Sequence, residues 1–345
     1  MAGNMVTGPA TSPTLVLAVD GGASKTDAWV VGTDGSILGT ARGAGSNHQL
    51  SGLDGAMGAL GSTIDAALGD AGLGTGERPA VGIGAYCMAG LDLPVDEERL
   101  VEAIGSRRWS AQDLVRNDTM AVLRAGVRSG WGIGVVCGSG LNCVGLGPTG
   151  SVARFPSLGE LSGDFAAGGS WLGVRTLGLA LRSRDGRGGP TSLAELVPSH
   201  FDLPDAESVL EAVYSGTVGF GRLFELARVC MDAATAGDTT AQGAVRFLAG
   251  EVVAMVTAAA SRLGVSDGEV EVVLGGGLFA SEYHTFTEWI ETGVRESVPG
   301  AHLRRIDAAP VLGAALLGLD AAGAPPDAGR RLRTLAPAPD PGDEG

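Results

Sequence analysis

The sequence predicts an α/β protein made of two similar halves. Apolar, β-branched runs flank a polar, glycine-bearing turn at residues 20–26, and a second strand–glycine turn–strand segment begins at Trp131, roughly 115 residues after the first. Segments with apolar residues at helical spacing follow both. Because the chain has 345 residues, it is long enough for two domains of ordinary size.

The first half is predicted to begin with a three-stranded meander, in which Asp34-Gly35 marks the second turn. A helix follows, and a second helix begins at Pro94 with acidic residues in its first turn, as the helix dipole favours. The predicted strands are 15–20, 28–31, 36–41, 80–85 and 114–116, and the first predicted helix is 53–68.

The second half is predicted to repeat the meander and then to become mostly helical. Pro310 lies near the start of the last predicted helix, where proline is well tolerated. The predicted strands are 131–137, 142–146, 151–155 and 270–274. The predicted helices are 172–182, 208–214, 219–234, 241–263 and 309–318.

These elements predict two lobes and two disordered ends. We expect an N-terminal lobe at 14–116 and a C-terminal lobe at 117–309, with a terminal helix at 310–322 that returns to the first lobe. Residues 1–13 are small and polar, and 323–345 are rich in proline, glycine and aspartate. Both ends are therefore predicted to be disordered tails.

The charge of the chain limits its partners. The formal net charge is −15, and a surface this acidic repels nucleic acid and anionic membranes, so we expect neither as a partner. The N-terminal residues lack the basic start and apolar core of a signal peptide, and no apolar run is expected to span a membrane without polar interruption. The expected location is the cytoplasm.

The four cysteines form no CxxC pair and show no spacing with histidine that suits zinc. Cys137 and Cys143 flank a glycine turn, so an iron–sulfur or disulfide role stays open beside the simpler interpretation of buried apolar thiols.

The turn at 20–26 has the chemistry of a phosphate site. Asp20 ends the first strand, where its carboxylate is suited to hold a hydrated Mg²⁺ ion. Gly21 and Gly22 allow close approach of an anion, and the amides from Ala23 onwards can donate to phosphate oxygens. The hydroxyls of Ser24 and Thr26 are further candidate donors. Lys25, the only lysine of the chain, is a candidate cation for the phosphate. An ordinary tight turn with a solvated lysine is the alternative.

Four further features follow predicted strands, three glycine-bearing turns and one aspartate. Gly138-Ser139-Gly140 and Gly275-Gly276-Gly277 suit phosphates or a nucleotide, and Gly45-Ser46-Asn47 is polar enough for a sugar. Asp118 follows a short strand, where its carboxylate is either a general base or the N-cap of a helix at 119–127. Neither the Walker phosphate loop nor the dinucleotide fingerprint is present.

The order of these motifs resembles the acetate and sugar kinase, heat-shock-70 and actin superfamily. Within it, the chain from about Thr14 to Leu317 is similar to the N-acetylglucosamine kinase-like branch of the BadF/BadG/BcrA/BcrD ATPase family. The resemblance implies a two-lobed actin-like ATPase (ribonuclease H-like) fold with a nucleotide cleft between the lobes, and ATP and Mg²⁺ as cofactors. It assigns the turns at 20–26 and 138–140 to phosphate, 275–277 to adenosine, and Asp118 to catalysis.

The resemblance also implies sugar contacts. It assigns contacts with the sugar to Asn47, His48, Ser139 and Asn142. It also places Gly159 and Asp164 in the sugar pocket. The chain departs from the family pattern at 156–160 and 165–170, where relatives carry Gly-Gly-Trp-Gly and Glu-Gly-Ser. These departures leave the identity of the sugar open.

The predicted function is ATP-dependent phosphorylation of an amino sugar, N-acetylglucosamine at its 6-hydroxyl, with Asp118 as general base. Glucosamine and N-acetylmuramate are alternative substrates. An alternative function of another class is an ATPase that activates a CoA-ester reductase or dehydratase. Such activators carry a cysteine-ligated iron–sulfur cluster. The partners expected are a small-molecule sugar and, by analogy, a second copy in a homodimer.

Overall fold

The computed structural model describes residues 15–74, 79–280 and 283–337. These residues form two compact units: one contains the described residues up to Asp118 together with Pro310–Pro337, and the other contains the described residues from Thr119 to Ala309. The predicted tail at 1–13 and the end of the predicted C-terminal tail, 338–345, lie outside the described residues.

Ten strands are present in the described chain. In chain order they are β1 Leu15–Gly21, β2 Lys25–Gly32, β3 Ile37–Ala44, β4 Val81–Met88, β5 Ser110–Asn117, β6 Gly132–Cys137, β7 Leu141–Leu146, β8 Val152–Arg154, β9 Val270–Gly275 and β10 Ala301–Arg305.

The described chain also contains eleven α-helices and three short 3₁₀ turns. The helices are α1 His48–Asp70, α2 Pro94–Arg107, α3 Asp118–Gly126, α4 Gly169–Arg184, α5 Leu193–His200, α6 Ala206–Tyr214, α7 Leu226–Thr235, α8 Thr239–Leu263, α9 His284–Ser297, α10 Pro310–Ala321 and α11 Pro326–Leu335.

The two units contain sheets of the same topology. The first sheet has the order β3-β2-β1-β4-β5 and the second β8-β7-β6-β9-β10. In each, the first three strands form an antiparallel meander, and the remaining two run parallel to its first strand. The prediction of an α/β protein with two similar halves is therefore confirmed.

The sheet of the first unit is covered on both faces, as expected for strands that read as continuous apolar runs. Leu17 and Val19 of β1 join the core cluster that contains Leu60 and Ile64 of α1. Val16 points to the opposite face, where it contacts Gly318 of α10. Alternation along β1 therefore separates one face packed by α1 from another packed by α10.

Helix α8 passes through the core of the second unit. By length and composition it is the one helix of the described chain that is apolar enough to cross a membrane, although Arg246 and Glu251 interrupt its apolar run. Half of its most apolar window is buried, and residues such as Leu248 and Val252 are fully enclosed by the core of the unit. Burial against other helices and the sheet accounts for its composition.

The structure corrects the prediction of disorder after residue 323. Residues 326–335 form α11, whose Leu332 is fully buried and whose Arg331 Nη1 lies 2.6 Å from Asp34 Oδ2. Tertiary packing stabilises this helix despite its polar composition. Two further corrections concern the second unit, where 220–225 is a 3₁₀ turn before α7, and where α5, α9 and β10 were not predicted.

Candidate active site

The carboxyl ends of three neighbouring strands meet at one edge of the first sheet. The parallel register pairs Gly21 with Met88 and Met88 with Asn117, so β1, β4 and β5 end side by side. Asp20 is 9% exposed at the end of β1, and Asp118 follows β5 as the first residue of α3. Ligands of open α/β sheets bind at such edges.

The negative charges of Asp20 and Asp118 both affect the pKa of one buried thiol, that of Cys87. Cys87 is the register partner of Asp20 on the neighbouring strand. Burial raises the pKa of the Cys87 thiol well above its ordinary value, and the negative charges of Asp20 and Asp118 raise it further, while Arg116 opposes them. The edge therefore brings together the two carboxylates that the sequence assigned to metal binding and catalysis.

The Asp20 carboxylate would suit a Mg²⁺ ion that is bound mainly by the phosphates of a nucleotide. Within the described ranges, no group of three or more His, Cys, Asp or Glu side chains forms a protein cage for a metal. Mg²⁺ is usually bound through one or two carboxylates together with substrate phosphates and water, which is what Asp20 at this edge can supply.

The turn after β1 is closed by its own backbone. Gly22 N donates to Lys25 O at 2.9 Å, and Gly22 O accepts from Ser46 N at 3.0 Å. The amide of Gly22, a residue of the turn that the resemblance assigns to phosphate, is therefore engaged within the turn. Ala23 is half-buried and Ser24 is exposed at the tip, so these two residues carry the amides best placed for an anion.

Two other residues of the turn are also engaged. The Thr26 side chain is fully buried; its Oγ1 donates to Ala44 O at 2.7 Å and lies 2.8 Å from Ser46 Oγ. Lys25 Nζ lies 3.6 Å from Asp27 Oδ2. The structure therefore uses Thr26 to fasten the turn, and it pairs the lysine with a carboxylate of its own strand.

Asn47 begins α1 as its N-cap. Its Oδ1 accepts from Gln49 N at 2.9 Å, which leaves its Nδ2 as the group that can donate to a ligand. The neighbouring His48 side chain is only 9% exposed, and its Nε2 lies 3.2 Å from Asp96 Oδ1. The structure thus presents Asn47, but not the imidazole of His48, as a candidate sugar contact.

In the second unit, three glycine segments lie with their backbones in contact. Gly169 N donates to Gly138 O at 2.8 Å. A Cβ atom on Gly168 would lie 2.3 Å from Gly140 O, and one on Gly276 would lie 2.6 Å from the carbonyl of Cys137. The turn at 138–140, the first residue of α4 and the turn at 275–277 therefore form one cradle, with the partial positive charge of the α4 N-terminus beside it.

The remaining predicted sugar residues also lie in this unit. Ser139 is exposed, and Asn142 Oδ1 accepts from Cys143 N at 2.7 Å. Asp164 N donates to Gly159 O at 3.0 Å, and the Asp164 carboxylate accepts from the Ser162 hydroxyl. Asp164 is 7% exposed and is thus held by its own loop, as in the turn-stabilising interpretation, with oxygen lone pairs left for a ligand.

Sequence reasoning missed several residues that shape the site. Asp27 is 4% exposed and binds Arg42 through two hydrogen bonds, Nε–Oδ1 at 2.7 Å and Nη2–Oδ2 at 3.2 Å. Asp92 accepts from both Gln49 and Asn117. Asp92 is the one residue with a polar side chain between Met88 and Pro94, so no local pattern marked it in the sequence. Gly168 lies in the segment at 165–170 that departs from the family pattern.

All four cysteines are buried free thiols. Burial raises the pKa of Cys137 and of Cys143 to about 12 each. Both side chains belong to the apolar core of the second unit, as in the simpler interpretation of buried apolar thiols.

The paired meanders, the glycine cradle and the carboxylates at the strand ends define an ATPase of actin-like fold. A model of the BadF/BadG/BcrA/BcrD ATPase family matches residues 17–318, and the chain belongs to this family.

Three relatives refine the comparison. The chain is 27% identical over 79% of its length to an N-acetylmuramic acid/N-acetylglucosamine kinase from Clostridium acetobutylicum, of which it covers 88%. It is 23% identical over 90% of its length to an N-acetyl-D-glucosamine kinase from Dictyostelium discoideum, of which it covers 99%. A crystal structure of a proposed N-acetylglucosamine kinase from Chromobacterium violaceum superposes with a TM-score of 0.71 at 26% identity, over 89% of this chain and 99% of that one.

Proposed function

We propose that this protein transfers the γ-phosphate of ATP to the 6-hydroxyl of N-acetylglucosamine. The observation that carries the proposal is the placement of Asp20 at the carboxyl end of β1 and of Asp118 directly after β5, on either side of Cys87 of β4. Such a pair supplies one carboxylate for a metal and one for a proton, the two demands of phosphoryl transfer to a hydroxyl. Glucosamine and N-acetylmuramate are the alternative acceptors.

The class of enzyme rests on the relatives. Both curated relatives are named as amino-sugar kinases, and the chain covers nearly all of each. The chain is accordingly an ATP-dependent sugar phosphotransferase. The particular sugar, the base and the metal are the parts that we propose.

In the proposed mechanism, Asp118 accepts the proton of the sugar hydroxyl as that oxygen attacks the γ-phosphorus atom. The hydroxyl must lie within hydrogen-bond reach of the Asp118 carboxylate. Amides at the tip of the first turn, Ala23 and Ser24, donate to phosphate oxygens. When bound beside Asp20, Mg²⁺ neutralises charge that spreads over the transferred phosphoryl group.

The amino sugar is proposed to be held by amide and carboxylate groups. The Nδ2 group of Asn47 donates to a sugar oxygen because its Oδ1 is already engaged by Gln49 N. The Asp164 carboxylate accepts hydrogen bonds from sugar hydroxyls, since one of its oxygens accepts from the Ser162 hydroxyl and lone pairs remain. The N-acetyl group is the feature that separates the favoured substrate from glucosamine.

The test is ADP formation by the purified protein with N-acetylglucosamine, glucosamine and N-acetylmuramate in parallel. We expect the largest kcat/KM with N-acetylglucosamine, and phosphorus NMR of the product should show a 6-phosphate. ADP release that does not depend on any amino sugar would refute the proposal. A brown, iron-containing preparation would instead favour the activator ATPase.

The cytoplasmic location and the homodimer remain proposals of the same kind. Four unpaired thiols are typical of a reducing compartment, which agrees with a cytoplasmic enzyme.

A further inference from the structure

The first turn of α1 is separate from the rest of that helix. Asn47 caps it with φ −73° and ψ 111°, and Gly52 interrupts it with φ 71° and ψ 166°. This combination of angles is essentially confined to glycine. Residues 47–51, which we call the capping turn, are therefore one short turn, followed by a break and then by the long helical segment that packs on the sheet.

Two side chains fasten the capping turn to the loop between β4 and α2 and to the first turn of α2. His48 Nε2 lies 3.2 Å from Asp96 Oδ1. Gln49 Nε2 donates to Gly90 O at 3.1 Å and to Asp92 Oδ2 at 3.2 Å. Two consecutive residues thus bind the capping turn, His48 to the first turn of α2 and Gln49 to the loop that begins where β4 ends.

The same loop is also bound to the end of β5. Asp92 Oδ1 accepts from Asn117 Nδ2 at 3.3 Å, and Asn117 Nδ2 lies at the same distance from Leu91 O. Asn117 directly precedes Asp118. A continuous set of hydrogen bonds therefore runs from the capping turn, through Asp92, to the residue before the proposed base.

The His48 side chain is almost enclosed by the protein. The imidazole is 9% exposed, and its Nδ1 is buried without a hydrogen-bond partner in the described part of the chain. An unpaired buried polar atom is unfavourable, so the contact of Nε2 with Asp96 is the polar interaction that favours this position of the ring. Asp96 is fixed in turn, because its Oδ2 accepts from Leu93 N at 3.0 Å at the start of α2.

We propose that His48 and Gln49 are positioning residues that set the capping turn, and with it the Asn47 amide, relative to Asp118. Neither side chain touches the sugar. Gly52 provides the break that lets the turn follow the loop between β4 and α2 instead of the long helix. The proposal rests on the proposed function, because it assigns Asn47 to the sugar.

The test compares His48→Ala with His48→Gln, and Gly52→Ala with Gly58→Ala. Gly58 lies in the same helix with open space around it, so it is a matched control. We expect His48→Ala and Gly52→Ala to raise the KM for the sugar about tenfold or more, because small displacements of a positioned group are costly. The KM for ATP should change less than about twofold, since nucleotide binding does not use the turn.

Rescue separates positioning from a purely structural role. A glutamine at position 48 carries an amide that can donate to Asp96, so His48→Gln should recover most of the affinity for the sugar. Hydrogen exchange of the amides at 48–51 should accelerate in His48→Ala and Gly52→Ala but not in Gly58→Ala. An unchanged sugar KM in His48→Ala, or a glutamine variant no better than the alanine variant, would overturn the proposal.

Failure of the proposed function has a different signature. If the wild-type protein phosphorylates no amino sugar, the assignment of Asn47 fails. The exchange comparison then still decides whether His48 and Gln49 hold the turn, and unaltered exchange in the variants would refute that as well.

Discussion

Gly168 and Gly140 lie with their backbones in direct contact, because a Cβ atom on Gly168 would be 2.3 Å from the carbonyl oxygen of Gly140. Gly168 also has a φ of 81°, which L side chains rarely adopt. We therefore predict that Gly168→Ala displaces the turn at 138–140 and weakens ATP binding at least about tenfold, with roughly 1–3 kcal/mol of strain. Calorimetric titration with a non-hydrolysable ATP analogue measures the effect.

The control is Gly178→Ala, inside the helix α4 that Gly168 precedes, and with open space around it. It should leave nucleotide affinity unchanged and stabilise the protein by up to about 1 kcal/mol. Equal nucleotide affinity in both variants would show that the cradle does not bind the nucleotide.

Asp118→Asn should abolish catalysis while leaving the nucleotide bound. Asparagine keeps the shape of the side chain but cannot accept the hydroxyl proton, so we expect kcat to fall by about 10²–10⁴-fold. Asp54→Asn, at an exposed position of α1, serves as the control with the same chemical change. Steady-state ADP release measures both, and near wild-type turnover in Asp118→Asn would remove the assignment of the base.

Removing Arg42 should destabilise the protein through Asp27. Arg42→Leu leaves a carboxylate that is 4% exposed with Lys25 Nζ at 3.6 Å as its remaining ion-pair partner. We predict a loss of about 1–3 kcal/mol in the free energy of unfolding by urea.

Adding Asp27→Asn to that variant should recover part of the loss, because a neutral amide does not need a charged partner. Arg99→Leu, an exposed position on α2, should change stability by less than about 0.5 kcal/mol. A loss in Arg99→Leu as large as that in Arg42→Leu would contradict the explanation.

Asp238, the N-cap of α8, should make the free energy of unfolding depend on pH at acidic values. Burial tends to raise the pKa of Asp238, but hydrogen bonds from Ala241 N, Thr191 and Ser192 outweigh it and lower the pKa below the ordinary 3.8. Because the folded pKa is depressed, the stabilisation is complete above about pH 4–5, and it is lost as the pH falls through the folded pKa. Asp238→Asn keeps a capping oxygen but loses the charge.

We therefore expect Asp238→Asn to be less stable than the wild type by about 1 kcal/mol at pH 7, with the difference shrinking as the pH falls below the ordinary aspartate pKa of 3.8. The free energy of unfolding by urea, measured for both proteins at pH 7 and at a pH below 3.8, gives this difference. A difference that stays constant with pH would mean that the charge contributes nothing.

All four thiols should resist modification in the folded protein. The pKa of Cys230 is raised to about 11 by burial, and the other three thiols are also buried and raised. An aromatic disulfide reagent at pH 8 should label none of the four in the folded protein and all four after unfolding. Rapid labelling of Cys137 or Cys143 in the folded state would reopen a redox or cluster role.

Local patterns in the sequence were sufficient for the elements that surround the site. Alternating and continuous apolar runs predicted both meanders, and glycines at strand ends predicted the turns at 20–26, 138–140 and 275–277, because these signals depend on neighbours in the chain. The family was identified from the order of the same motifs, and the match over 17–318 confirmed it. The assignments of individual site residues stay predictions.

Only the tertiary structure decided how the side chains of these motifs are used. It directs the Thr26 hydroxyl to Ala44 O, pairs Asp27 with Arg42, and joins Gln49 to Asp92 across 43 positions of the sequence. It also fixes α11, whose composition is too polar to predict, through the burial of Leu332 and the ion pair of Arg331 with Asp34. Such contacts join residues that the chain brings together only when its sheets and helices pack, so no local pattern records them.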